Sequence, residues 1–157
     1  MLFAPAIRPD VAQITALARI AFAPYAPRIG RAPAPMTADY AALQRDLQVE
    51  IIAAHSWPDR SGPLAGFAVL LTRTGDGAPT VWLETIAVAP ATQGSGLGRR
   101  LLTLCEARAR RRGFGCIQLY TNAAMHENFP FYDRAGYTET GRRRADGFDR
   151  VYFARSV

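Results

Sequence analysis

Val88-Ala89-Pro90-Ala91-Thr92-Gln93-Gly94-Ser95-Gly96-Leu97-Gly98 separates two contrasting segments. Before it runs Val81-Trp82-Leu83-Glu84-Thr85-Ile86-Ala87-Val88, a largely apolar stretch that reads as a strand. After it, from Leu97, apolar residues recur at helical spacing among arginines, which predicts an amphipathic basic helix. Glycines let a backbone adopt left-handed conformations and approach a ligand closely. The unpaired N–H groups of the first helical turn then point at that ligand, with the positive end of the helix dipole behind them. A strand, a glycine turn and a helix start in this order predict a phosphate-binding site.

The spacing narrows the ligand. Gly94-Ser95-Gly96-Leu97-Gly98 places its third glycine too early for a dinucleotide fingerprint, and Arg99-Arg100 stand where a Walker loop needs Lys-Ser or Lys-Thr. Gln93-x-x-Gly96-x-Gly98 resembles the pyrophosphate-binding turn of the GNAT superfamily of acetyl-CoA-dependent N-acetyltransferases. Further on, Phe131-Tyr132-Asp133-Arg134-Ala135-Gly136-Tyr137 is similar to the Phe-Tyr-x-x-x-Gly-Phe/Tyr segment of the same superfamily. Leu-Tyr-Thr-Asn at 119–122 and Gly-Tyr-Thr-Glu-Thr-Gly-Arg-Arg at 136–143 also look like a bacterial subgroup of it. One position departs: where many members carry a cofactor-touching Asn seven residues before the Tyr, this chain has Met125. Asn128 and Asn122 are the candidate substitutes.

The bulk properties fit one soluble domain spanning 1–157, with 49% hydrophobic residues and a mean hydropathy of -0.04. No apolar run approaches the ~20 residues of a membrane span, so no membrane partner is expected. The N-terminus lacks a basic start and a long apolar stretch, and two cysteines make no disulfide framework. A cytoplasmic location with both Cys105 and Cys116 buried and inert is expected. The net charge of +6 and pI near 10.0 raise a nucleic-acid reading. No recognition motif accompanies that charge. Arginines 108, 110, 111 and 112 fall where a helix C-terminus favours cations, and a basic rim would suit the phosphates of CoA.

Along the chain, periodicity predicts strands over 3–8, 49–55, 64–72, 80–88, 116–121, 137–140 and 148–154. It predicts helices over 9–22, 37–47 (capped by Thr37), 97–112 and 125–134, with Gly113 ending the third. Residues 24–36 hold four prolines and a glycine and read as a loop. A turn is expected at Gly75-Asp76-Gly77. The whole is an α/β chain with a mixed sheet. The resemblance implies a largely antiparallel sheet, flanked by helices and splayed between its fourth and fifth strands to admit acetyl-CoA.

The resemblance also implies roles. Backbone groups of Ile86, Ala87 and Val88 would pair with the pantetheine arm and polarise the acetyl carbonyl. Amides from Gln93 through Gly94, Ser95, Gly96, Leu97, Gly98 and Arg99 would hold the pyrophosphate, with Asn128 as a further contact. An amine then attacks the thioester directly, and Tyr132 protonates the departing thiolate. From the residues alone, Tyr132 reads as an aromatic core residue beside Phe129 and Phe131; the acid role rests on the resemblance. Glu84 is a carboxylate in an apolar strand, where burial is costly without a partner. By two-residue alternation it shares a face with Trp82, Ile86 and Val88. It reads as the base that deprotonates the amine, as an anchor for the substrate cation, or as a solvent-facing strand residue or salt-bridge partner of an arginine.

His55 and His126 read as surface or structural residues, and no spacing suggests a metal. The resemblance implies an acceptor site lined by the segment between the first two helices, where Tyr25, Arg28 and Arg31 are candidates to meet an acidic group of the acceptor. Residues 142–150 are a second candidate wall. The acceptor is expected to be a small-molecule primary amine. A protein N-terminus or lysine is the alternative within the same chemistry, and a non-catalytic acyl-CoA sensor the alternative outside it. Pairing through a sheet edge or the last strand makes a homodimer a candidate assembly.

Overall fold

The computed structural model describes residues 1–75 and 77–157. Its strands are β1 (Leu2–Pro5), β2 (Val49–His55), β3 (Leu64–Arg73), β4 (Thr80–Val88), β5 (Cys116–Asn122), β6 (Thr138–Ala145) and β7 (Phe148–Ser156). Its helices are α1 (Val11–Phe22), α2 (Ala26–Ile29), α3 (Ala34–Thr37), α4 (Tyr40–Arg45), α5 (Leu97–Arg111) and α6 (Asn128–Arg134). The strands form one sheet in the order β1-β2-β3-β4-β5-β7-β6. Every neighbouring pair is antiparallel except β4 and β5.

Two apolar clusters cover the two faces. On one, α5 and α6 bring Leu97, Leu101, Cys105, Ala109, Tyr132 and Ala135 onto Ile52, Ala68, Leu83, Ile117 and Val151. On the other, Ile14, Leu17 and Ala18 of α1 and Tyr40 of α4 pack on Ile51, Ala53, Phe67 and Val69. Among the described residues no helix is long and apolar enough to cross a membrane.

Several expectations need correction. The proline-rich segment is not a plain loop: it holds α2, α3 and a 3₁₀ turn at Ala23–Tyr25, each with a proline at its first or second position. There a proline has no N–H bond to lose and its φ is already helical, so closely spaced prolines start short helices instead of abolishing them. Thr37 therefore ends α3, and Asp39 caps α4 by accepting from the Ala42 amide at 3.0 Å. The first strand stops at Pro5, and Arg8–Asp10 forms a 3₁₀ turn. The strand from Tyr137 continues to Ala145 and makes a hairpin with β7. α6 begins at Asn128 rather than Met125.

The buried stripe of α5 is Leu97, Leu101, Leu102, Cys105, Glu106 and Ala109. Cys105 is buried, and that burial pushes its thiol pKa up. Cys116 is exposed because it falls on the face of β5 opposite Ile117. The turn expected at 75–77 lies partly outside the described residues. Gly113 does end α5, at φ 83: the Gly113 and Phe114 amides reach back to the carbonyls of Arg110 and Ala109.

Candidate active site

The pairing of β4 with β5 stops at Leu83 opposite Leu119. Beyond it Tyr120, Thr121 and Asn122 pair only with β7, and the far half of β4 pairs only with β3. The two strands diverge, and a cleft of about 610 Å³ opens between them. The Ala89 amide donates to the Ala65 carbonyl at 2.8 Å. Antiparallel alternation then turns Ala87 towards β3 and leaves the N–H and C=O groups of Ile86 and Val88 facing the gap. This is an open strand edge inside the protein.

The cleft runs on to the glycine turn, where Gln93, Gly94, Gly96, Leu97, Gly98 and Arg99 line it. Gly94 and Gly96 have φ of 77 and 81, a conformation strained for any residue with a Cβ. Among the described residues no acceptor meets the amides of Gly94, Gly96, Leu97, Gly98 or Arg99. These are the free donors of a helix start, and they suit a multiply charged anion. Ser95 does not line the cleft; its hydroxyl donates to the Thr92 carbonyl at 2.5 Å.

Tyr132 approaches from the α5–α6 side, 5% exposed, and lines the cleft. Its ring is wedged against Phe131, Phe153 and Tyr137, with centroids 5.2, 5.5 and 5.9 Å away. Burial raises its pKa well above that of a free phenol, so the hydroxyl stays protonated. One turn earlier on the same helix, Asn128 also lines the cleft and donates to the Thr121 hydroxyl at 3.1 Å. Met125 is buried in the lining, and the Asn122 side chain accepts from the Ala124 amide at 2.9 Å.

Glu84 stands where β4 breaks register: Val69 faces Thr85 but Leu70 faces Leu83, so Glu84 is an extra, bulged residue. The expectation that it shares a face with Ile86 and Val88 fails for that reason. Those two pack with the α5 cluster, as Leu83 does, while Glu84 turns the other way. Arg73 meets one of its oxygens at 2.7 Å, and the Tyr120 hydroxyl donates to the other at 3.0 Å. Burial and then the Glu84 charge push the Tyr120 pKa up to about 12. Glu84 and Tyr120 both line the cleft, opposite the Tyr132 side.

Tyr25 lines the cleft, but Arg28 is not among its lining residues. The Arg28 guanidinium binds both Glu127 and the Ala124 carbonyl, joining α2 to the β5–α6 connection. That pairing holds the Glu127 carboxyl down at about 2. A depressed carboxyl supports the fold above its unfolded pKa and loses that support as pH falls through the folded value. The bridge is therefore expected to persist through mild acid and open only towards pH 2, which a titration of the Glu127 carboxyl by NMR would read. Arg31 lies outside the cleft lining, its guanidinium 3.9 Å from the Phe148 ring centroid.

Of the candidate wall 142–150, Phe148 and Arg150 line the cleft. Tyr120, within Leu-Tyr-Thr-Asn, also lines it, although the sequence alone gives it no role. His55 is fully buried, its Nε2 3.6 Å from Asp10, while His126 is exposed.

Comparison with known proteins agrees with this geometry. A family model described as the acetyltransferase (GNAT) family matches residues 15–137. N-alpha-acetyltransferase 80 of Mus musculus is 40% identical over 67 residues, 43% of this chain and 20% of that protein. The mycothiol acetyltransferase of Propionibacterium freudenreichii subsp. shermanii is 32% identical over 80 residues, 51% of this chain and 26% of that protein. The chain thus spans about a quarter or less of the length of these curated relatives. The crystal structure of an aminoglycoside 6'-N-acetyltransferase complexed with coenzyme A superposes with a TM-score of 0.74 at 15% identity. It covers 99% of this chain and 97% of that one, a likeness of fold.

Proposed function

The chain belongs to the acetyltransferase (GNAT) family, and we propose that residues 1–157 act as one domain that transfers the acetyl group of acetyl-CoA to the primary amine of a small molecule. The observation carrying this reading is a single cleft that joins an open strand edge to a glycine turn rich in free amides. Acetyl-CoA, the co-substrate, has a chemistry that fits both ends. Its pantetheine amides suit the Ile86 and Val88 backbone groups, and its pyrophosphate suits the free amides of Gly94, Gly96, Leu97, Gly98 and Arg99. It supplies the activated acetyl thioester.

The protein's own groups then divide the work across the gap. Ile86 and Val88 fix the position of the arm, which lowers the entropy cost of attack. Tyr132 holds a proton on the α5–α6 side and delivers it to the departing sulfur. Glu84, held by Arg73 and Tyr120, meets the amine on the other side and takes its proton, directly or through water. Because both of its oxygens already accept a bond, anchoring the ammonium is the second reading for Glu84.

Glu84→Gln separates the two readings. As a base, Glu84 is expected to contribute ~10²-fold to kcat, with KM for acetyl-CoA unchanged. As an anchor its loss raises KM for the amine and spares kcat. Steady-state kinetics on the variant reads the difference. The small-molecule assignment draws its support from the concave cleft itself, about 610 Å³ and lined by the apolar side chains of Phe22, Leu43 and Phe148.

A further inference from the structure

Arg150 lies on β7 beside Asn122, beyond the residues matched by the family model. It is 9% exposed and lines the acceptor half of the cleft. A guanidinium carries five N–H donors in a planar fork. Here one nitrogen bonds Asp146 at 3.0 Å, and among the described residues the side chain has no other acceptor. Asp146 is itself 81% exposed in the β6–β7 turn, so this pair is solvated and weak. The guanidinium carbon also lies over aromatic rings, 4.0 Å from the Tyr120 ring centroid and 5.8 Å from that of Phe148. Of the two arginines that the sequence offers for the acceptor, Arg28 is occupied by Glu127 and Ala124, and Arg31 lies outside the cleft lining.

Tyr120 ties this guanidinium to the proposed chemistry. Its hydroxyl donates to Glu84 while its ring carries Arg150. A carboxylate and a guanidinium with free donors therefore flank one aromatic ring, and the apolar side chains of Phe22, Leu43 and Phe148 line the same cleft. A ligand complementary to this arrangement carries a cationic amine for Glu84, a carboxylate for Arg150 and an apolar body.

We propose that Arg150 is a specificity-determining residue that binds a carboxylate of the acceptor, so that the acceptor is a free amino acid or a similar carboxylate-bearing amine. This rests on the acetyltransferase reading and narrows its substrate class. A peptide N-terminus lacks that nearby carboxylate and is disfavoured.

The test follows thiol release from acetyl-CoA by the full chain with leucine and phenylalanine, each against its amide, and with a short peptide. The acids are expected to exceed their amides by ~10–100-fold in kcat/KM, the scale of a hydrogen-bonded charge left unpaired. Arg150→Met is expected to bring that ratio towards one, and Arg150→Lys to retain part of it. A shift of the unfolding temperature by acetyl-CoA verifies that each variant is folded; should Arg150→Met not fold, the ratio in the unaltered protein decides. Amides or peptide turned over as well as the acids, no release from either acid, or an unchanged ratio in a folded Arg150→Met would overturn the proposal while leaving acetyl transfer standing. Failure of acetyl-CoA to shift the unaltered protein would remove both.

Discussion

Replacing Tyr132 by Phe is expected to lower kcat by ~10²–10⁴-fold, the usual worth of a positioned general acid. KM for acetyl-CoA should barely change, because the ring alone makes the packing contacts. Those contacts with Phe131, Phe153 and Tyr137 fix the ring's direction, and phenylalanine keeps them. Only the hydroxyl is lost. Burial keeps that hydroxyl protonated well past the ordinary phenol range, so Tyr132 should produce no fall in rate between neutral pH and pH 10. Pre-steady-state thiol release, compared between the two proteins over this pH range, checks both statements. A variant that keeps full turnover would show that Tyr132 only packs.

The second large effect is expected at Gly96. Its φ of 81 places it in the left-handed region at the N-terminus of α5. A Cβ there meets open space, so crowding is not the obstacle; the backbone angle is. Gly96→Val should cost ~1–2 kcal/mol of local conformational energy and turn the following amides away from their shared direction. Those amides are the proposed pyrophosphate donors. KM for acetyl-CoA is therefore expected to rise by ~10–100-fold, with several charge-assisted bonds weakened together. Isothermal titration with CoA and the acetyl-CoA dependence of the rate would report it. Gly98→Ala gives a useful contrast: its Cβ would lie 3.7 Å from Phe131 and Val88, an ordinary contact, and a smaller effect is expected.

The glycine turn and the elements around it were legible because local chemistry sets them. Anion-ready amides follow from a helix start, and the left-handed angles follow from Gly94, Gly96 and Gly113. The proline-rich segment was misread because a proline's meaning depends on its place within a turn, which composition does not reveal. Glu84 was correctly singled out as a carboxylate among apolar residues, yet its direction was not accessible. A bulge shifts the alternation by one residue, and nothing in Leu-Glu-Thr-Ile announces it.

Arg28 and Arg150 show the same limit at longer range. Arg28 meets Glu127 across 99 residues, and Arg150 stacks on Tyr120 only because β7 inserts between β5 and β6. Such pairs depend on strand order, which one sequence does not fix. The basic composition takes on a further meaning in this light. Arg73, Arg143 and Arg150 lie over Trp82, Tyr152 and Tyr120, so part of the positive charge is spent on aromatic faces of the sheet.

The most direct test of acetyl transfer is thiol release on mixing the protein with acetyl-CoA and a panel of primary amines, with the products weighed by mass spectrometry. Amine-dependent release of one thiol for each N-acetylated product is the predicted result. No release above the uncatalysed rate from any amine, at millimolar acetyl-CoA, would contradict it.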